Sequence, residues 1–121
     1  MKKKKHFLKN HKHMNHFIEI CALLMLSEEK NHGYGLKEKL ESFAFQKDQI
    51  NVGTLYKTLR KMEDKKFVKS EWFKGDGGPK KRVYSLTKEG KVKLENWIDI
   101  LKFRKARIEK VISRFERSEE K

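Results

Sequence analysis

Five short stretches occur in a fixed order: HGYGL at 32–36, GTLYKTLRKME at 53–63, FVKSEWF at 67–73, GDGGPKKR at 75–82 and VYSLTKEG at 83–90. They read as helix, turn, helix, a short hairpin with a basic tip, and a further helix. That is the element order of a winged helix. The expected fold is mainly α with a small β-hairpin: a winged helix-turn-helix plus a long C-terminal dimerisation helix. The expected divisions are a disordered basic arm at 1–15, the winged helix at 16–86, the dimerisation helix at 87–117 and a frayed tail at 118–121.

The arm, MKKKKHFLKNHKHMN, carries six lysines and little apolar content, so it lacks the means to order itself. His11, His13 and His16 are not interspersed with Cys or carboxylate, and a flexible arm preorganises no metal site. Asn15 is the expected cap of a first helix running to Ser27. Its apolar residues, among them Phe17, Ile18, Cys21 and Leu24, surround it almost completely, so it must be covered on more than one side. One side is assigned to the core. The other, with Phe17, Cys21 and Leu24, is assigned to a second subunit.

Gly33 opens a second helix, with Leu36, Leu40 and Phe43 as its inward stripe. Asn51 caps a third, whose apolar set is Val52, Leu55, Tyr56, Leu59 and Met62. The opposite side collects Thr54, Lys57, Lys61 and Lys65, short polar and long basic groups that suit a DNA groove. Tyr56 is grouped with them as a candidate DNA contact. Phe67–Phe73 and Lys80–Leu86 read as paired strands, with Val68 and Trp72 on one face. The Gly-rich loop between them is too long for a tight turn, which makes it a wing. Lys74, Lys80, Lys81 and Arg82 charge its base and are expected on phosphates or in the minor groove. Gly77-Gly78 is no nucleotide-binding loop, because no strand-to-helix junction follows.

Thr87 caps the last helix, and Gly90 lets its first turn approach a neighbouring backbone. From Lys88 to Arg117 the helix would run roughly 45 Å, more than a winged-helix core covers. Leu94, Leu101, Ile108 and Phe115 recur every seven residues, with Trp97, Ile98, Val111 and Ile112 between them. Such a seam is expected to close on a second chain.

The chain has 31 Lys plus Arg against 17 Asp plus Glu, a net charge of +14 over 121 residues. That surplus favours a polyanion, since each neutralised phosphate releases counterions. An anionic membrane surface is the other partner such charge allows. Cys21 stands alone, which excludes an intramolecular disulfide and fits a reducing cytoplasm. The longest apolar run, Phe17–Leu26, is broken by Glu19 and too short to span a bilayer. No catalytic constellation appears; His32 is expected to cap or pack at the second helix rather than to serve a triad. Neither an enzyme nor a cofactor is expected. A winged helix binding protein or structured RNA remains the alternative to one binding double-stranded DNA.

The stretches HGY, GTLYKTLRKME and GGPKKRVYSLTKEG resemble, in order and spacing, the PadR family of transcriptional regulators over about residues 17–115. The single C-terminal helix is similar to the smaller PadR subgroup. The resemblance implies a homodimer that exchanges this helix against the partner's first and last helices. It implies repression at a palindromic operator and release by a small molecule, apolar or aromatic. In drug-binding members a Trp lines a central pore; here Leu101 stands at that position and Trp97 one turn earlier. Trp97, Leu101 and Phe17 are therefore the residues that the resemblance offers to an effector.

Overall fold

The computed structural model describes residues 11–75 and 77–120. Its elements are α1 (His11–Glu28), β1 (Asn31–His32), α2 (Gly33–Phe43), α3 (Val52–Asp64), β2 (Val68–Lys74), β3 (Lys80–Leu86) and α4 (Lys88–Glu119). The strands form one antiparallel sheet in the order β1-β3-β2. Val68 faces Leu86 at its base and Lys74 faces Lys80 at the wing, while Asn31 and His32 pair with Tyr84 and Val83.

Three helix starts are set by side chains that accept backbone N–H groups left without a helical partner. His32 Nδ1 accepts from Gly35 N at 3.1 Å, Asn51 Oδ1 from Thr54 N at 3.2 Å, and Thr87 Oγ1 from Gly90 N at 3.0 Å. The expected caps at Asn51 and Thr87 and the capping role of His32 are thus in place. Asn15, in contrast, lies inside α1, which begins at His11. No Gly or Pro between 11 and 15 stops the helix from extending backwards, and Asn costs it little. The last five residues of the expected arm are therefore helical or open the helix; the first ten lie outside the described residues. At the far end α4 includes Ser118 and Glu119, which were expected to fray.

α1 is the central element. It packs against α2, α3, α4 and β3, and Ile18, Cys21, Ala22, Leu23, Met25 and Leu26 are all buried with Leu36, Leu40, Leu55, Leu59, Met62, Val68 and Tyr84. One chain thus covers most of a helix whose second side was expected to need a partner. Cys21 is 3% exposed and Leu94 7%, so neither has surface left for a dimer interface, contrary to expectation. Burial also pushes the Cys21 thiol up to about 11, which keeps it protonated and unreactive. Two aromatic residues turn outward instead. Phe43 lies on the last turn of α2, past the end of the core, and Trp72 lies on β2 beyond the point where Val68 leaves it.

α3 ends in a Schellman turn: Phe67 N donates to Met62 O at 2.8 Å and Lys66 N to Glu63 O at 2.9 Å. Lys66 takes the left-handed conformation there, φ +67°. The turn delays the strand by one residue from the expected start at Phe67. Gly90 lies so close that a Cβ would overlap the Phe67 carbonyl oxygen, and here the expected close approach is met. Lys66→Gly should raise stability by about 0.5–1 kcal/mol by relieving the left-handed strain. Gly90→Ala should lower it by more than about 2 kcal/mol, because the obstacle is backbone. Urea denaturation of the two variants measures both.

Candidate nucleic-acid interface

Leu55, Leu59 and Met62 fix α3 to the core, and the 3.6-residue repeat then sends Lys57, Arg60 and Lys61 outward. All three are exposed, and Thr54 is half-buried at the first turn. Thr58 Oγ1 donates back to Thr54 O at 2.9 Å, so Thr58 is occupied along the helix axis. Lys65 has left the helix and is its C-cap.

The wing is welded to α3 by one network. Ser70 Oγ donates to Glu63 Oε2 at 2.6 Å, Arg82 Nε donates to Ser70 Oγ at 2.7 Å, and Arg82 Nη2 lies 3.2 Å from Glu63 Oε1. Arg82 also lies 5.7 Å from the Trp72 ring and 6.0 Å from that of Tyr84. Its guanidinium is therefore held by a carboxylate, a hydroxyl and two rings. It was expected as a wing contact for phosphate; in the structure it also ties the wing to α3. Lys74, Lys80 and Lys81 are exposed and carry no ion-pair partner among the described residues.

Between the start of α2, the outer side of α3 and the wing lies an open cleft of about 540 Å³. Tyr34, Tyr56, Trp72 and Tyr84 give it rings; Arg60, Lys80, Lys81 and Arg82 give it positive charge. Tyr56 is half-buried, with its ring against Gly33, where a Cβ would run into it. The aromatic residue of the apolar set thus serves as packing for α2 and as a wall of the cleft. Of the sequence candidates, Tyr56, Lys80, Lys81 and Arg82 meet here, while Thr54, Lys57 and Lys61 do not line the cleft. Arg60, Tyr34 and Trp72 were not among the candidates. Arg60 follows Lys57 by three residues and could have been found on the same helical face. Tyr34 and Trp72 come from separate elements and only the tertiary fold unites them.

α4 leaves the core halfway along. Trp97 and Ile98 are half-buried against it, and Leu101 is the last half-buried residue among those described. Beyond it Ile108, Val111, Ile112 and Phe115 are 57%, 71%, 50% and 63% exposed. Phe17 packs on Phe45, ring centroids 5.6 Å apart, whereas Trp97 packs on His16 at 5.8 Å with Lys93 Nζ over its face. The two rings therefore contact different neighbours. No helix among the described residues is long and apolar enough to cross a membrane.

A helix pair, a hairpin wing and a long C-terminal helix in this arrangement make a winged-helix protein. Residues 22–96 match the Transcriptional regulator PadR-like family, and the chain belongs to that family. It is 29% identical over 78 residues to the Probable transcriptional regulator Rv1176c of Mycobacterium tuberculosis, covering 64% of this chain and 41% of that protein. The chain thus spans less than half the length of that relative. Among solved structures it is similar to a PadR family transcription regulator from hypervirulent Clostridium difficile R20291. The TM-score is 0.71 at 26% identity, over 79% of this chain and 98% of the other. A PadR-like transcriptional regulator from Bacillus cereus gives 0.69 at 26%, over 78% and 89%. Bacillus subtilis PadR in complex with operator DNA gives 0.60 at 22%, over 66% and 45%, a likeness of fold.

Because Glu63 is, among the described residues, the carboxylate that joins α3 to the wing, Glu63→Ala should release Arg82 and Ser70 together. Hydrogen exchange at the β2 amides around Trp72 should then quicken severalfold while those of α1 are unchanged. Equal exchange in both proteins would remove the tether.

Proposed function

We propose that the chain is a DNA-binding repressor that acts in the cytoplasm as a homodimer on a palindromic operator and is released by an apolar or aromatic small molecule. The observation that supports the DNA reading is the placement of exposed cations of α3 and of the wing side by side, with Arg60, Lys80 and Lys81 bordering one open cleft and Lys57 and Lys61 exposed on the same helix outside it. Thr54, Lys57 and Lys61 of α3 then enter a major groove, where Lys reaches guanine edges and Thr a thymine methyl. Lys65, Lys74, Lys80 and Lys81 hold phosphates, with Tyr56 against the backbone beside them. The net charge of +14 supports this assignment, and family membership supports regulation rather than catalysis.

The homodimer rests on the exposed apolar face of α4. Ile108, Val111, Ile112 and Phe115 form a stripe that a monomer seldom leaves in water, and Leu101, Trp97, Ile98, Phe17 and Leu24 continue it toward the core. Two α3 helices must lie about one DNA turn apart, roughly 34 Å, to enter successive major grooves. A ligand that prefers a splayed dimer, held near Trp97, Leu101 and Phe17, would break that spacing without touching the DNA-facing surface.

Leu101→Asp combined with Ile108→Asp should give monomers in sedimentation, because charges in an apolar seam lack partners. An unaltered dimer would refute this seam. Lys57→Ala should reduce discrimination between operator and random DNA. Lys80→Ala should weaken both alike and lower the salt slope by about one. Fluorescence anisotropy at several salt concentrations separates the two effects, and identical changes would remove the division of labour.

A further inference from the structure

We propose that the cleft between α2, α3 and the wing is a binding site for a nucleoside monophosphate, its base stacked on Trp72 and its phosphate held by Arg60, Lys80 and Lys81. The cleft's volume of about 540 Å³ lies within the roughly 300–1,000 Å³ of small-molecule sites. Its mouth presents two rings largely in water, Trp72 at 63% exposure and Tyr34 at 57%. A duplex offers those rings only its edges and backbone, because its base faces are stacked inside. A nucleotide with a free base also offers a π-face on which an aromatic side chain can stack.

The stacking platform is built rather than loose. Arg82 backs the Trp72 ring at 5.7 Å and is itself held by Glu63 and Ser70. Glu63 is thereby occupied and does not oppose an anion. Arg60, Lys80 and Lys81 have no ion-pair partner among the described residues, so a phosphate meets charge that no internal carboxylate has cancelled. The first turn of α2, which has no acidic residue, adds the positive end of an 11-residue helix at the same wall.

Occupation would withdraw three cations and close the gap between α3 and the wing. Under the DNA reading above, the nucleotide and the duplex therefore exclude one another; the binding itself does not depend on that reading.

Titration calorimetry of the full chain with AMP, adenosine and inorganic phosphate, without DNA, tests the site. AMP should bind saturably and at least about tenfold more tightly than adenosine or phosphate, because only AMP uses both the ring and the cations. Trp72→Ala and Arg60→Ala should each weaken AMP by about tenfold. Trp72→Phe should recover part of the loss, and thermal melts of all variants should match the parent. No saturable heat with AMP, or phosphate binding as well as AMP, would overturn the proposal. So would an affinity unmoved by Trp72→Ala. Operator binding is measured on the same proteins by anisotropy, so a failure of the nucleotide site and a failure of the DNA reading are told apart.

Discussion

The backbone contact between Gly90 and the Phe67 carbonyl fixes the geometry on which the rest of the molecule depends. At that point the end of α3, the start of β2, the end of β3 and the start of α4 meet within a few residues. Thr87 N donates to Phe67 O at 3.1 Å, Thr87 Oγ1 donates to Lys66 O at 2.6 Å, and Gly90 N donates to Thr87 Oγ1 at 3.0 Å. A single threonine thus serves as cap for α4 and as clasp for the turn that ends α3. Only glycine lets the helix axis come that near. The root of the long helix is therefore placed by one backbone hydrogen bond and two that pass through the Thr87 hydroxyl, together with the close approach at Gly90.

From this junction the two working parts diverge. The hairpin is tied back to α3 by Glu63, Ser70 and Arg82. α4 runs for 32 residues and exposes its apolar stripe once it passes Leu101. The junction and the Glu63 network both anchor on the last turns of α3, so that helix, the wing and the root of α4 are tied at two points. In the homodimer proposed above, a change of tilt between two α4 helices would reach the α3 helices through these ties.

Much of this was legible in the sequence where a local rule acts on a few residues. Asn51 and Thr87 are caps because their side chains reach back to their own helices. Lys80–Leu86 is a strand with the expected bounds because the Gly-rich loop and Thr87 delimit it. Gly90 was legible as a close approach. The misses all needed the third dimension. β1 is two residues long and has no period to read, so the third strand was invisible. Cys21 read as interface because an all-round apolar helix does not tell which of its neighbours belong to its own chain, and Leu94 because a seven-residue repeat does not tell where the helix leaves its own core. Phe43 and Trp72 obey the period of their elements, yet those elements outrun the core. Arg82 carries the same charge as Lys80 and Lys81, and only the position of Glu63 one element away makes it a tether. The cleft gathers α2, α3 and the wing, so no stretch of sequence contains it.

In the homodimer proposed above, the net charge of the chain gives a reason for the apolar face of α4. Two copies of a chain with a net charge of +14 repel one another, and salt bridges on the surface return little against that repulsion. Burial of Ile108, Val111, Ile112 and Phe115 is non-directional and insensitive to charge, so it is the attraction best suited to holding such chains together. Salt then acts in opposite senses on the two associations. It screens the repulsion between subunits and so favours the dimer. It also restores the counterion atmosphere of DNA and so weakens protein–DNA contact. On the proposed reading, such a chain would keep its subunits together over conditions in which its hold on a polyanion varies widely, as a regulator that leaves its site without falling apart requires.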